Sequence, residues 1–226
     1  MARISMTDAD RTLVTDAVVK AEMLTDGEIV TIVARRSDAY HDVGLHYAIA
    51  CAFLVIALAA TFPDFFQHIY GWLLGEWHHE LPLRLFLMLL LGHSIAKFLA
   101  VRYLLAIPAL RMALTPGATR SRRVRRRAVA LFRTAAEART AGRTGVLIYL
   151  SLDEHRAEIV TDSGISARVD PDLWGEAMAA MLAQVREGRI GEGMARAVER
   201  VGAVLAVHLP PTGTNPNELP DRLIEL

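Results

Sequence analysis

Two long apolar segments near the middle of the chain limit its fold more than any other feature. Residues 45–62 (LHYAIACAFLVIALAATF) contain no formal charge, and a helix of that length spans roughly 27 Å, close to the ~30 Å hydrocarbon core of a bilayer. In the second segment, residues 81–110, only Arg84, Lys97 and Arg102 are charged. A chain of 226 residues has too little polar material to bury both segments. The sequence therefore predicts a transmembrane hairpin.

The charges that flank the two segments predict the orientation of this hairpin. The connector, residues 63–80, carries acids and no Lys or Arg, and its Phe, Tyr and Trp side chains are typical of the interface between headgroups and acyl chains. Arg35 and Arg36 precede the first segment, and an arginine run follows the second. By the positive-inside rule, both termini lie in the cytoplasm and the connector lies outside.

Three polar or reactive side chains within the apolar segments need an interpretation of their own. Lys97 lies five residues before Arg102, so its stem can extend to the same inner boundary of the bilayer. Alternatively, His93 and Lys97 line a polar path through an oligomer, as in a small channel or transporter subunit. Cys51 in the first segment is expected to act as a small apolar residue.

The formal net charge of zero hides separate blocks of opposite sign. Residues 102–145 carry eleven arginines against Glu137 alone, whereas residues 146–226 carry seven arginines against thirteen acids. The densest part of the basic block is Arg120, Arg122, Arg123, Arg125, Arg126 and Arg127. We expect these arginines to face anionic lipid headgroups at the inner membrane surface. Nucleic acid is not an expected partner, because aromatic residues do not interleave with the arginines.

The chain on both sides of the hairpin has the pattern of an α/β domain. The predicted elements are a helix capped by Thr7, a strand at 28–34, a helix at 122–140, strands at 145–151 and 156–161, and helices at 172–187 and 191–208. Neither half has enough strands to close a core. We therefore predict a three-layer α/β/α sandwich with a small mixed sheet, split into residues 1–43 and 112–226 by the transmembrane hairpin at 44–111.

Motifs for catalysis are sparse in this sequence. One cysteine excludes an intramolecular disulfide and multi-cysteine metal sites, and there is no glycine-rich phosphate loop, nucleophile elbow or zinc-protease motif. His78 and His79 are interpreted as interfacial, since adjacent histidines point in different directions on most backbones. The weak metal-ligand candidates are Asp38, Asp153, Asp162 and Asp170. For Asp38, Asp162, Asp170 and Asp172, an acidic site at one sheet edge and a solvated rim both remain open.

Several spaced blocks resemble a known family. These blocks are 27–30 (GEIV), 144–151 (TGVLIYLS), 156–165 (RAEIVTDSGI) and 217–221 (NELPD). They resemble the TPM domain family, in its bacterial membrane-protein subgroup, over residues 7–43 and 120–221. The resemblance implies an α/β/α sandwich and a location in the bacterial inner membrane. Some relatives of this family are described as acid phosphatases or calcium binders, and others serve photosystem repair or receptor modulation.

One departure from the family pattern bears on function. Relatives commonly carry Asp-Asn-Gly just before the second strand, where this chain has Arg143, Thr144 and Gly145. A cation site would lose a carboxylate there and gain a positive charge. We therefore expect a membrane-anchored, non-enzymatic interaction or scaffold module without a cofactor, bound to an unknown membrane protein or to further copies of itself. The alternative is a phosphatase or other hydrolase that depends on calcium or magnesium.

Overall fold

The computed structural model describes residues 6–75, 81–135, 144–212 and 219–226. The strands are β1 (Glu28–Ala34), β2 (Gly145–Ser151), β3 (Arg156–Thr161) and β4 (Ile224–Glu225). The helices are α1 (Asp8–Glu22), α2 (His41–Thr61), α3 (Pro63–Leu74), α4 (Leu83–Leu104), α5 (Pro108–Leu114), α6 (Gly117–Ala135), α7 (Ser163–Ser166), α8 (Asp172–Arg186) and α9 (Ile190–His208). The first three strands have the bounds that the sequence predicts.

The chain forms two compact units. The sandwich unit comprises Met1–Asp38 and Gly117–Leu226, and the hairpin unit comprises Ala39–Pro116. The boundaries predicted from sequence, 43 and 111, lie five residues inside the hairpin unit at each end.

The sandwich unit is built on a small mixed sheet in the order β3-β2-β1-β4. β1 runs parallel to β2 over seven residue pairs, and β3 returns antiparallel to β2 as a hairpin. The C-terminal segment adds β4 parallel to β1 through two pairs. Because β1 and β2 are buried along their whole length, helices must cover both faces.

Alternate strand residues supply the two cores of the sandwich unit. One core joins Ile29, Val33, Val146, Ile148 and Leu150 to buried residues of α1, α8 and α9. The other core joins Val30, Ile32, Ala34, Leu147 and Tyr149 to Val124, Ala128 and Phe132 of α6. The two cores lie on opposite faces, because successive side chains of a strand alternate between faces. The three-layer α/β/α fold class is thus confirmed.

Local signals explain where two of the helices begin and end. Thr7 caps α1 in both directions: its Oγ1 accepts a hydrogen bond from the Asp10 amide at 3.1 Å, and its own amide donates to Asp10 Oδ2 at 2.9 Å. Gly188 follows α8 with φ of 82°, a conformation that favours glycine.

A glycine inside α9 permits close packing of two helices. Gly202 lets α9 approach α1, since a Cβ at this position would lie 2.6 Å from the Cβ of Ala21.

The hairpin unit consists of α2 and α4, which pack along each other, together with α3 and α5. Its small core comprises Val55, Ala59, Phe66, Tyr70, Leu81 and Phe86. Both α2 and α4 are long and apolar enough to cross a membrane, and little of either apolar segment is buried inside the protein. α3 was not predicted as a helix; it begins with Pro63 at its first position and ends before Gly75, which has φ of 77°.

Candidate functional site

A group of buried polar side chains lies where the parallel strands β1 and β2 end. We call Ser37, Tyr149, Ser151 and Glu154 the polar cluster. Tyr149 and Ser151 belong to β2, Ser37 follows β1 by three residues, and Glu154 lies in the β2–β3 turn. The register of β1 on β2 pairs Ala34 with Ser151, so residues distant in sequence meet at this edge. Crevices at the carboxyl ends of parallel strands are the usual ligand sites of open α/β sheets.

The polar cluster forms one continuous hydrogen-bond chain. Ser151 Oγ donates to Glu154 Oε2 at 2.5 Å, and Ser37 Oγ donates to Ser151 Oγ at 2.9 Å. Since each serine has a single hydroxyl proton, Tyr149 OH is the donor in its 2.9 Å contact with Ser37 Oγ. The Ser37 amide donates to Glu154 Oε1 at 2.9 Å. Each hydroxyl proton of the cluster is thus used within the cluster.

Burial explains the electrostatics of this chain. Tyr149 and Ser151 have no exposed surface, and Glu154 is 3% exposed. Burial raises the pKa of the Tyr149 hydroxyl, so the phenol keeps its proton and remains a donor. Hydrogen bonds to a carboxylate offset part of the cost of its burial. The arrangement therefore holds residues 35–38, where the chain leaves the sheet, in one position.

Charged side chains surround the polar cluster. Arg123 of α6 pairs with Asp38 through Nη1 and Oδ2 at 2.8 Å. The positive charge of Arg127 opposes the rise in the pKa of Tyr149. In the β2–β3 ladder Arg156 lies opposite Ser151. The edge thus combines hydroxyl groups, the buried carboxylate of Glu154, the carboxylates of Asp38 and Asp153, and several arginines, so charges of both signs meet here.

The structure does not bring the four candidate aspartates together. Asp38 and Asp153 lie at the carboxyl end of β1 and β2, where the Asp153 amide donates to Arg35 O at 2.9 Å. Asp162 lies at the far end of β3, and its Oδ1 caps α7 by accepting from the Ser163 amide at 2.7 Å. A strand of six residues separates the two ends by roughly 20 Å.

The remaining metal-site candidates are also dispersed. Asp170 is exposed at the start of α8 and accepts a hydrogen bond from the Asp172 amide at 3.0 Å. In the part of the chain that the structure describes, no three His, Cys, Asp or Glu side chains are grouped so that they hold a metal ion. His78, His79 and Arg143 lie outside the described residues.

The opposite end of β1 carries an acidic pair that the sequence reasoning missed. Glu22 Oε1 accepts from the Ile29 amide at 2.8 Å, and burial, with the nearby charges of Glu28 and Asp221, raises the pKa of Glu22 to about 8. Glu28 is 3% exposed, and its Oε2 accepts from the Leu219 amide at 3.2 Å. The available signal was Glu28 itself, a charged residue that opens a strand buried along its whole length.

The six arginines predicted to face lipid have different environments. Arg122, Arg125, Arg126 and Arg127 are exposed, whereas Arg120 and Arg123 are partly buried. Arg123 is held by Asp38, and Arg125 contacts Glu158 of β3 at 3.5 Å. Burial raises the pKa of Glu158, and Arg125 opposes this shift.

The polar residues of the apolar helices α2 and α4 differ in whether they contact the rest of the hairpin unit. His93 of α4 is hydrogen-bonded through Nδ1 to Tyr70 OH of α3 at 3.0 Å. Lys97, one turn further along α4, is exposed, and Cys51 is partly buried. His93 therefore has a partner within the hairpin unit, while Lys97 lies on its outer surface.

These features define an α/β/α sandwich with a two-helix hairpin inserted between its first two strands. The TPM domain model matches residues 110–204, which bears out the predicted resemblance to the TPM domain family over that part of the chain; its membrane-protein subgroup stays a prediction. The solved NMR structure of BA42 protein from the psychrophilic bacterium Bizionia argentinensis shares this fold, with a TM-score of 0.56 and 18% identity over 100% of both chains. A comparison with curated proteins finds no match.

Proposed function

We propose that this protein is a membrane-anchored TPM module with a protein-interaction or scaffold role rather than a catalytic one. Its sandwich unit lies on the cytoplasmic face of the bacterial inner membrane, and α2 and α4 cross the bilayer. Its partners are anionic lipids and a membrane protein, which is a further copy of the chain or an unrelated one.

The apolar surface of α2 and α4 carries this proposal. Large apolar side chains point outward along both helices, including Phe53 at 65%, Leu54 at 56% and Leu91 at 61% exposed. Soluble monomers rarely expose contiguous apolar patches larger than a few hundred Å². Helices of 21 and 22 residues suit the thickness of the hydrocarbon core.

The flanking charges support the proposed orientation. Arg35 and Arg36 precede α2, and the exposed arginines of α6 follow α4. Residues 41–104, by contrast, contain only three Arg or Lys side chains: Arg84, Lys97 and Arg102. Excess Arg and Lys in the short segments beside spans favours the cytoplasmic side.

The arrangement of the polar cluster supports a non-catalytic role. Ser37 is the least buried hydroxyl of the cluster, and its proton is already donated to Ser151. Asp162, a ligand candidate for a cation-dependent hydrolase, lies a strand length away from Asp38 and Asp153. We therefore expect the polar cluster to hold residues 35–38 at the edge of the sheet rather than to activate a nucleophile.

Membrane extraction and cysteine labelling test the anchor and its orientation. We expect the full chain to stay in the membrane fraction after an alkaline carbonate wash. In a Cys51→Ala background, a membrane-impermeant maleimide applied to spheroplasts should label Phe62→Cys and should not label Ala203→Cys until the cells are lysed. Release by carbonate, or the reverse labelling pattern, would contradict the anchor or the orientation respectively.

A phosphatase assay tests the non-catalytic role. The full chain in detergent is incubated with p-nitrophenyl phosphate, with and without calcium or magnesium. We expect no hydrolysis above the protein-free control. Cation-dependent turnover that disappears in Asp162→Ala would favour the hydrolase and overturn this part of the proposal.

A further inference from the structure

The arginine-rich helix α6 has one face that is fully committed to the sandwich core. Val124 and Ala128 have no exposed surface, and Phe132 is 5% exposed. These side chains pack against Leu147 and Tyr149 of β2 and against alternate residues of β1. Amphipathic helices that insert into a bilayer do so with their apolar face. The apolar face of α6 is not available for such insertion.

The other face of α6 carries several arginines that form no ion pair within the described part of the chain. Arg122 and Arg126 lie one turn apart, and at 100° per residue they point away from the Val124 and Ala128 side. Arg122, Arg126 and Arg127 form no ion pair with any residue that the structure describes. Arg125 is 72% exposed despite its contact with Glu158.

The opposite face of the sandwich unit has mixed charge. Arg11 of α1 pairs with Asp8, and Arg189 at the start of α9 pairs with Glu192. Arg200 of α9 pairs with Glu176 of α8 at 3.7 Å. Positive charges that alternate with acids produce little net potential. By contrast, α6 carries seven arginines and no acidic residue between positions 117 and 135, so the densest positive charge of the sandwich unit lies on this helix.

The connection to the second apolar helix keeps this basic face within reach of a bilayer. α6 begins at Gly117, thirteen residues after α4 ends at Leu104. Even fully extended, such a linker spans about 45 Å at most, and part of it is the helix α5. Anionic headgroups attract juxtamembrane basic side chains that lie within a Debye length of ~8–10 Å.

We infer that the exposed face of α6 docks on the anionic lipid headgroups of the inner leaflet through electrostatic contacts and without insertion. The α6 side of the sandwich unit then faces the bilayer, and the side formed by α1, α8 and α9 faces the cytoplasm. The inference rests on the proposed membrane anchor. Because the apolar face of α6 is packed into the sandwich core, docking depends on lipid charge and is reversed by salt.

A quenching experiment on the full chain tests this docking. In the Cys51→Ala background, a fluorophore is attached at Ala130→Cys on the exposed face of α6, or at Ala203→Cys on the exposed face of α9. The protein is reconstituted in vesicles of phosphatidylcholine alone or with phosphatidylglycerol, both containing a headgroup spin-labelled lipid. We expect quenching at residue 130 only with phosphatidylglycerol, its loss in high salt, and no quenching at residue 203.

Two matched arginine variants separate docking from a general effect of charge. Arg122→Gln/Arg126→Gln/Arg127→Gln removes three charges from α6, and Arg186→Gln/Arg196→Gln/Arg200→Gln removes three exposed charges from α8 and α9. We expect loss of the phosphatidylglycerol-dependent quenching in the first variant and retention in the second. Equal loss in both variants would overturn the inference.

Other outcomes also contradict the docking. Salt-resistant quenching at residue 130 in neutral lipid would indicate insertion, and quenching at residue 203 would indicate the opposite orientation. A chain that resists carbonate extraction but shows no quenching at residue 130 would refute the docking and leave the anchor intact. A chain that carbonate releases from the vesicles would refute the anchor itself.

Discussion

The sandwich unit and the hairpin unit use similar apolar residues in opposite ways. In the sandwich unit, Leu150 and Leu205 have no exposed surface, whereas in the hairpin unit Leu83 is 72% and Leu91 is 61% exposed. The sandwich unit buries its apolar side chains against a sheet, with polar residues on its outer surface. The hairpin unit leaves them outward, which is stable only where the surroundings are apolar too. This difference is the one that the proposed membrane anchor requires.

The comparison predicts that truncation of a buried leucine causes the largest loss in the free energy of unfolding. Leu150→Ala should lower the free energy of unfolding of the sandwich unit by about 2–5 kcal/mol, because it removes a fully buried side chain and leaves a cavity. Leu91→Ala should change it little. Urea unfolding of the full chain in detergent, followed by Trp174 fluorescence in a Trp72→Phe/Trp77→Phe background, measures both. Equal losses would mean that Leu91 is packed against protein.

A charge on the same outward face should affect membrane insertion. Leu91→Arg places a guanidinium near the middle of α4, at a cost of about 2.5–3.5 kcal/mol for a helix centre in a bilayer. We expect a smaller carbonate-resistant fraction. Leu13→Arg on α1, where the leucine is 43% exposed, is the matched control and should leave that fraction unchanged. If Leu91→Arg inserts as well as the parent chain, this face of α4 does not contact lipid.

The elements of the sandwich unit were predictable because local signals agree there. β1, β2 and β3 are β-branched or apolar runs bounded by glycine or turn residues, and Thr7 caps α1 as its sequence indicates. The helix α3 was missed although Pro63 and Gly75 mark its ends. Its aromatic side chains drew an interpretation based on the membrane interface, and that interpretation gave no information on local backbone structure.

The polar cluster was not predictable, because it depends on strand register. Ser37 and Ser151 are 114 positions apart and meet only through the parallel pairing of β1 with β2. In the β2–β3 turn the sequence reasoning favoured Asp153 as a ligand candidate, whereas the buried carboxylate is its neighbour Glu154. Arg123 was grouped with lipid-facing arginines, yet it pairs with Asp38. Charge counting alone does not separate paired arginines from free ones.

Buried carboxyl groups lie at both ends of the sheet, and they are expected to affect stability in different ways. At the carboxyl end, Ser151→Ala removes the hydroxyl that donates to Glu154 and accepts from Ser37. We expect a loss of about 1–3 kcal/mol in the free energy of unfolding, because a buried carboxylate oxygen loses its donor. Thr12→Ala, which removes an exposed hydroxyl bonded to Asp8 O, is the control with a smaller effect.

A double-mutant cycle sharpens this prediction. If the hydroxyl and the carboxylate act as a pair, Ser151→Ala combined with Glu154→Gln should cost less than the sum of the two single changes. Additive losses would show that Ser151 contributes through its packing or its hydrogen bond with Ser37 rather than through Glu154.

At the amino end of β1, Glu22 should make stability depend on pH. Its folded pKa of about 8, raised mainly by burial, lies above the ordinary value of 4.5. The stabilising contribution of its protonated form is therefore complete below pH ~4.5 and is lost as pH rises through 8. Glu22→Gln keeps the oxygen that accepts from the Ile29 amide and removes this titration. After allowance for partial exposure, we expect the variant to be about 1–2 kcal/mol more stable than the parent at pH 9.

The pH profile, rather than stability at one pH, decides this point. Unfolding midpoints of Glu22→Gln and the parent should converge below pH ~4.5 and diverge as the pH rises toward 8 and above. Glu199→Gln, at an exposed position of α9, reports the effect of removing one negative charge elsewhere in the sandwich unit. A similar divergence in Glu199→Gln would assign the effect to net charge. If the difference in unfolding midpoint between Glu22→Gln and the parent does not change with pH, the pKa of Glu22 is not raised by folding. The carboxylate of Glu22 is then ionised and solvated in the folded chain.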